Sequence, residues 1–278
     1  MPFDDLKEMM THPPTEHLMR RCIFWEVFSP PRIAPFIRKQ GGQARRSVDV
    51  VGHWNLLVRD ILYSFMVDLF TLRPFFVMLS PPCTYLSQLM FSNWNRMDPV
   101  SKVKELENGL RMVDISVWIA QFQLSSTGYF CFEHPAGAQT WSMQRALSLT
   151  VKTHHVFCFL RGKLLATSSA CYPSSSILEN KVKDLDAELV VFDQCRYGLV
   201  SKSKGIPVQK RTCFLTNSPM VKREFANKFC LKDHPHCRIE GAEGGMARSK
   251  WAQIYPDQLC LALSRCVMDE YEAFKNRQ

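Results

Sequence analysis

The strongest constraint on the fold is an alternation of short apolar runs with amphipathic segments along the first half of the chain. Short apolar runs are typical of buried strands, and apolar residues at every third or fourth position are typical of helices. The predicted strands lie at 22–28, 47–51, 75–79 and 129–132. The predicted helices lie at 33–40, 60–72 and 102–125, with a closing helix at 255–274. This order predicts an α/β fold with a mostly parallel sheet and helices on both faces.

The length and charge of the chain limit its organisation and its partners. Its 278 residues are enough for one large α/β domain or two small ones, and its net charge is +9. We expect a polar leader at 1–20 and a single domain at 21–278, with a small irregular Cys/His-containing insertion at about 216–250. The positive charge favours an anionic partner such as nucleic acid, although solubility alone would also explain it.

Cysteine usage indicates a reducing compartment. Eleven cysteines are present, but they lack the regular spacing of a disulfide framework. Acidic residues interrupt any N-terminal signal peptide, and there is no run of about 18 apolar residues that would span a membrane. We therefore expect an intracellular protein of the nucleus or cytoplasm, without a membrane segment, in which most cysteines are small core residues.

A cysteine and a glutamate follow or end two of the predicted strands. Cys83 comes after the strand at 75–79, in the segment Pro81-Pro82-Cys83, and Glu133 ends the strand at 129–132. Ligands bind at the carboxyl ends of parallel strands, where a thiol can attack an electron-poor ring and a carboxyl can donate a proton. The alternatives are a buried structural cysteine and a carboxylate that caps a helix or pairs with an arginine.

These segments resemble motifs of the DNA cytosine-5 methyltransferases. Pro81-Pro82-Cys83 is similar to the catalytic loop of that family, and Glu133-His134-Pro135 lies where the family has Glu-Asn-Val. The order of the motifs matches over about residues 22–215. The other similar segments are the strand end Glu26-Val27-Phe28-Ser29, the acid Asp49, the pair Tyr197-Gly198, and the run at 205–215 that resembles Val-Pro-Gln-x-Arg-x-Arg.

The resemblance implies a Rossmann-like methyltransferase fold and methyl transfer from S-adenosylmethionine to cytosine C5 in nucleic acid, with DNA favoured over RNA. It implies that Cys83 adds to C6 of the base, that Glu133 protonates or hydrogen-bonds N3, and that Arg211 steadies the ring. A base in a duplex would first be flipped out of the stack. The residues implied in cofactor binding are Glu26, Phe28, Ser29, Asp49 and Pro81.

The sequence departs from the family in its first loop. Ser29-Pro30-Pro31-Arg32 replaces a glycine-rich loop, and prolines supply no N–H groups. The N–H groups of Arg32 and Ile33 are the remaining candidates to receive the cofactor's carboxylate, because they lie at a predicted helix start. We therefore expect weak cofactor binding or none. The alternative function is a catalytically inactive relative that binds nucleic acid or protein through the same cleft.

Two other replacements occur: His134 stands for the Asn of Glu-Asn-Val, and Cys213 for the second Arg of the Gln-x-Arg-x-Arg run. The segment from His134 to Gly137 is closer to a set of methyltransferase-like proteins that carry Pro-Pro-Cys with Glu-His-Pro-x-Gly. Some proteins of that set are associated with mobile elements.

A second group of chemically active residues lies between positions 230 and 237. Cys230, His234, His236 and Cys237 are four potential metal ligands within eight residues. Adjacent residues cannot easily reach one ion, so Cys230, His234 and His236 are the predicted zinc ligands. The fourth ligand would come from Cys195 or Cys213. The alternative is a polar loop with a buried Cys230.

Overall fold

A computed structural model of the protein describes residues 23–87, 96–142 and 187–277. The leader predicted at 1–20 lies outside these ranges. Within them, no helix combines the length and the apolar composition that crossing a membrane requires.

The fold is α/β, with a mixed five-stranded sheet in the described ranges. Its strands are β1 (Phe24–Val27), β2 (Phe76–Leu79), β3 (Tyr129–Pro135), β4 (Glu188–Asp193) and β5 (Arg211–Thr216), in the spatial order β1-β2-β3-β5-β4. β1, β2 and β3 pair in parallel, whereas β5 is antiparallel to both β3 and β4. β4 therefore runs in the same direction as the first three strands. The predicted parallel pairing is confirmed for β1, β2 and β3, whereas the second half of the described sheet is antiparallel.

The helices cover both faces of this sheet, as predicted. They are α1 (Ala34–Lys39), α2 (Arg59–Leu72), α3 (Pro99–Ser125), α4 (Pro219–Phe225), α5 (Arg248–Trp251) and α6 (Asp257–Lys275). Alternate strand residues enter different cores: Val77 and Leu79 pack with α2 and α3, whereas Phe76 and Met78 pack with α1, α4 and α6. Because successive side chains of a strand point to opposite faces, these two cores lie on opposite sides of the sheet.

The strand predicted at 47–51 is wrong beyond its first residues. Within 47–51 only Val48 forms a bridge with β1, to Val27, and a second isolated parallel bridge joins Phe24 to Ala44 just before the segment. A 3-10 turn then follows at Val50–Gly52. Val48 is buried, but Val50 and Val51 are 63% and 83% exposed. Because burial of apolar side chains would stabilise an edge strand, the strand does not extend beyond Val48.

The insertion predicted at about 216–250 contains more regular structure than expected. It includes α4, which begins with Ser218 Oγ accepting from Val221 N, and a hairpin of Ala242–Glu243 with Met246–Ala247. Gly244 and Gly245 form the hairpin turn at φ +57° and +78°, a conformation that favours glycine. The remaining segment at 226–241 is irregular, and a small core of Leu199, Val208, Cys237, Trp251 and Ala252 lies near it.

Candidate active site and metal centre

The carboxyl ends of β2 and β3 bring Cys83 and Glu133 together. The Cys83 side chain is half-buried, and Glu133 is 7% exposed. Burial and, to a lesser extent, the nearby Glu133 carboxylate raise the pKa of Cys83 to about 11, although Lys210 acts in the opposite direction. We call Cys83, Glu133 and Lys210 the sheet-edge site. Two of its three members were predicted from their positions after apolar strands.

His134 fixes the loop that carries Cys83. Its Nε2 lies 2.9 Å from Pro81 O, and its Nδ1 lies 2.7 Å from Thr140 Oγ1. Because a carbonyl oxygen can only accept, Nε2 carries the proton and Nδ1 accepts from the Thr140 hydroxyl. Burial lowers the pKa of His134 to about 4. A neutral imidazole therefore ties β3 to the Pro-Pro-Cys loop, a role that the histidine's place in the sequence did not indicate.

Lys210 is the cation of the sheet-edge site. Its Nζ lies 3.6 Å from Glu133 Oε1, and its side chain is 11% exposed. Among the described residues, Glu133 Oε1 has no hydrogen-bond partner. Lys210 reaches this edge because β5 is antiparallel and begins there. The sequence places two basic residues, Lys210 and Arg211, where β5 begins. Because neighbouring residues of an extended segment point to opposite sides, only one of them can face the site, and the sequence does not show which.

Arg211 was predicted to enter the site, and this is wrong. Its Nε and Nη2 donate to the two carboxylate oxygens of Asp193 at 3.0 and 3.1 Å. Its guanidinium also lies 5.3 Å from the centre of the Phe229 ring. Bidentate pairing with a buried carboxylate holds Arg211 beside the end of β4, away from a role on a substrate ring at Glu133.

Glu26 uses the N–H groups that were expected to receive the cofactor's carboxylate. Its carboxylate is fully buried and accepts from the backbone of Arg32 (3.1 and 3.2 Å), Ile33 (3.0 Å) and Ala34 (2.9 Å). Burial raises its pKa, although these N–H groups act in the opposite direction. The prediction that Arg32 and Ile33 N–H groups bind an external anion is therefore wrong, because an internal carboxylate caps α1.

The other predicted cofactor residues lie along the same edge of the sheet. Phe28 follows β1 at φ +63° and donates its N–H to Val48 O at 2.7 Å. Ser29 is buried, with its hydroxyl donating to Pro30 O at 2.9 Å. Pro81 is buried and accepts from His134. Asp49 is half-buried and precedes the exposed 3-10 turn.

Tyr255 is a buried residue of this edge that the sequence analysis missed. Its hydroxyl lies 3.0 Å from Ser80 Oγ. Its ring centre lies 5.2 Å from the Arg32 guanidinium and 5.8 Å from Lys210 Nζ, both within cation–π range. Tyr255 thus connects the start of α6 to the loops after β1 and β2.

Four metal-ligating side chains converge beside the end of β4. The ligand atoms of Cys195, Cys230, His234 and His236, which we call the Cys/His cluster, all lie within 4.8 Å of one another. Cys230 Sγ is 3.5 Å from His234 Nε2 and 3.3 Å from His236 Nε2, and the two Nε2 atoms are 3.1 Å apart. The predicted convergence of Cys230, His234 and His236 is confirmed, and these four residues could hold a metal ion.

Of the two candidates for the fourth ligand, the structure selects Cys195. It lies in the 3-10 turn at Gln194–Tyr197 that follows β4. Cys213 is instead buried within β5. Cys237 is directed into the small core, where its Sγ lies 2.7 Å from Arg248 Nη1. The sequence alone could not decide between Cys195 and Cys213. The turn after β4 brings Cys195, which lies 35 positions before Cys230, into the cluster.

No protein-family model matches this chain, and no curated protein matches it. Its function is therefore inferred from the residues at the sheet edge and from the motifs that carry the resemblance.

The sheet-edge site combines a thiol, a carboxyl group and an ammonium group. At neutral pH the Cys83 thiol is protonated, since its pKa is about 11. Addition to a ring therefore needs removal of that proton, and the Lys210 ammonium favours the thiolate electrostatically. The Glu133 Oε1 atom is buried, makes no hydrogen bond among the described residues, and faces the Lys210 ammonium at 3.6 Å in a largely desolvated environment.

Proposed function

We propose that the protein is a cytosine-5 methyltransferase-like protein with a Rossmann-like fold that acts on nucleic acid through Cys83. The observation that carries this proposal is the proximity of Cys83 and Glu133 at the ends of adjacent parallel strands, with Lys210 beside Glu133 and the Arg211 guanidinium paired elsewhere. Ligand binding at the carboxyl edge of a largely parallel sheet supports the same conclusion.

The residues of the site would divide the chemistry among them. The Cys83 sulfur forms a bond to C6 of cytosine as the C5–C6 double bond opens, and the electron pair moves toward C5 and N3. Glu133 hydrogen-bonds or protonates N3, which lowers the energy of the adduct. Lys210 stabilises the thiolate before attack and the negative charge that develops during it.

S-adenosylmethionine would supply the methyl group, but only part of its expected site fits. Asp49 has a carboxylate suited to ribose hydroxyls, and the exposed Val50 and Val51 offer an apolar surface for a purine ring. The start of α1 does not fit a carboxylate, because Glu26 already occupies its N–H groups. Weak cofactor binding is the expected consequence.

Methyl transfer to DNA with isotopically labelled S-adenosylmethionine tests this proposal. We expect slow incorporation by the wild-type protein, loss of incorporation in Cys83→Ala, and retention in the matched variant Cys266→Ala, whose cysteine lies on α6. Incorporation that survives in Cys83→Ala would exclude Cys83 as the nucleophile.

A catalytically inactive binding protein is the second candidate. The internal capping of α1 by Glu26 and the high pKa of the Cys83 thiol both favour it. Calorimetric titration with S-adenosylmethionine separates the two candidates. An inactive relative gives no binding heat and binds nucleic acid equally well with and without Cys83, whereas an enzyme binds the cofactor and loses affinity in Asp49→Ala.

We also infer that the ion of the Cys/His cluster is zinc. Two sulfurs and two imidazole nitrogens form a ligand set that zinc binds tetrahedrally, at about 2.3 Å for sulfur and about 2.0–2.1 Å for nitrogen. Those lengths require ligand atoms separated by about 3.3–3.8 Å in a tetrahedron. The three separations given above, 3.1 to 3.5 Å, are close to this requirement.

Elemental analysis of the purified full-length protein tests the zinc assignment. We expect one zinc per chain in the wild type, loss of the metal in Cys195→Ser, and retention in Cys213→Ser. A wild-type protein that contains no zinc and takes up none on titration would remove this assignment.

A further inference from the structure

A buried carboxylate connects the Cys/His cluster to the sheet-edge site. Asp193 is fully buried and accepts from Arg211 at 3.0 and 3.1 Å. It also accepts from the backbone N–H of Cys230 at 2.9 Å. The first residue of β5 and a ligand of the cluster therefore share one anion.

The other side of the ligand-bearing segment is attached to the same stretch of chain. Cys237 N, next to His236, donates to Pro207 O at 2.8 Å, and Val208 forms a parallel bridge with Cys237. Gln194 N, next to Cys195, donates to Lys210 O at 3.0 Å. The segment 207–211 is thus held at three points by neighbours of the metal ligands.

Lys210 lies inside this held segment, with its ammonium 3.6 Å from Glu133 Oε1. The ligand-bearing segment at 226–241 has a single bridge, at Cys237, and no strand or helix of its own. A segment with so few backbone hydrogen bonds has little structure to lose, so ligand bonds to an ion would supply much of its order.

We propose that the metal ion of the Cys/His cluster positions Lys210 beside Glu133, so that metal binding and assembly of the sheet-edge site are coupled. The proposal rests on the proposed function in two respects, the use of Lys210 at the site and the binding of zinc by the Cys/His cluster. The metal ion would then stabilise the surroundings of Cys83 as well as the ligand-bearing segment at 226–241.

Coupling of this kind is reciprocal. If the ion stabilises the Lys210–Glu133 pair, the pair stabilises metal binding by the same free energy. Charge alone predicts the opposite change in metal affinity, because removing the positive charge of Lys210 near a divalent cation favours binding of that cation. The sign of the change therefore separates coupling from charge alone.

Zinc affinity measured by competition with a chromophoric chelator provides the test. In the full-length protein, we expect Lys210→Met to weaken zinc binding by about fivefold or more. The matched control is Lys222→Met, which removes an ion pair with Glu188 at the opposite end of β4 and should leave zinc affinity unchanged. Unchanged or tighter binding by Lys210→Met would overturn the proposal.

A second variant and a second measurement guard against misfolding of Lys210→Met. Glu133→Gln breaks the same pair from the other side and should also weaken zinc binding; because charge alone predicts the same sign for this variant, Lys210→Met decides between the two explanations. Hydrogen exchange should become about tenfold faster over 207–213 when zinc is removed, while β2 stays protected. Equal exchange with and without zinc would contradict the coupling. None of these measurements involves methyl transfer, so failure of the proposed reaction and failure of the coupling are distinguishable.

Discussion

Cys83 and His134 are both neutral near pH 7 for the same reason, although their pKa values shift in opposite directions. Burial raises the pKa of the thiol to about 11 and lowers the pKa of the imidazole to about 4. The neutral imidazole can accept from Thr140 and donate to Pro81 O at the same time. A second proton on His134 would reverse its bond with Thr140, whose hydroxyl would then have to accept, and would bury a charge, so acid should disturb the loop that holds Cys83.

His134 predicts a pH dependence of stability. Its pKa is lowered in the folded state, so the unfolded chain binds the proton more tightly and stability falls as pH decreases from about 6.5 toward about 4. This group should contribute a loss of about 2 kcal/mol between pH 7 and pH 5. Urea unfolding should show a smaller loss in His134→Asn than in the wild type. The exposed His53→Asn should behave as the wild type does, and equal pH dependence in all three proteins would contradict this account.

Strands that are buried along their whole length could be predicted from the sequence, whereas the partly exposed segment at 47–51 was predicted wrongly. β2 is buried on both faces and reads as a continuous apolar run, whereas the edge segment at 47–51 has exposed valines that carry the same signal. The site divides in the same way. Cys83 and Glu133 could be predicted because each lies at the end of an apolar strand. Choosing Lys210 over Arg211 requires knowing how β5 is rotated about its axis. The role of Glu26 requires knowing the path of the loop before α1.

Glu26 joins β1 to α1, and its loss should affect the stability of that unit. Glu26→Gln keeps the shape but replaces one acceptor oxygen with a donor that faces backbone N–H groups. We expect a decrease of about 2 kcal/mol in the free energy of unfolding, the usual cost of an unsatisfied buried polar group. Glu188→Gln, at an exposed site, should change stability by less than about 0.5 kcal/mol. Equal effects of the two variants in urea unfolding would contradict the capping role.

Over the whole molecule, positive charge is concentrated after β4 begins. Residues 188–250 contain twelve Lys and Arg against six Asp and Glu, which gives +6 of the total +9. Within this region, Glu243 accepts from the Ser201 hydroxyl at 2.9 Å and from the Ser203 N–H, and so fixes a turn with exposed Lys202 and Lys204. This fixed basic turn is suited to phosphate contacts.

Removing that charge should weaken nucleic-acid binding in a salt-dependent way. We expect the double variant Lys202→Ala/Lys204→Ala to bind DNA more weakly and to reduce the slope of log affinity against log salt by about 1–2. Lys102→Ala/Lys104→Ala removes two lysines with the same spacing on α3 and serves as the matched control. Fluorescence anisotropy at several salt concentrations measures both. Identical slopes for the two double variants would exclude this turn from the interface.

The most direct measurement follows the addition of Cys83 to a cytosine without any cofactor. When the Cys83 sulfur bonds to C6, C5 gains electron density and can take a proton from water, and reversal then exchanges the original hydrogen of C5. We predict that wild-type protein releases deuterium from C5-deuterated cytosine in a single-stranded oligonucleotide, that Cys266→Ala does so too, and that Cys83→Ala does not. Absence of release by wild-type protein that demonstrably binds the oligonucleotide, or release that persists in Cys83→Ala, would contradict the assignment of Cys83 as the nucleophile.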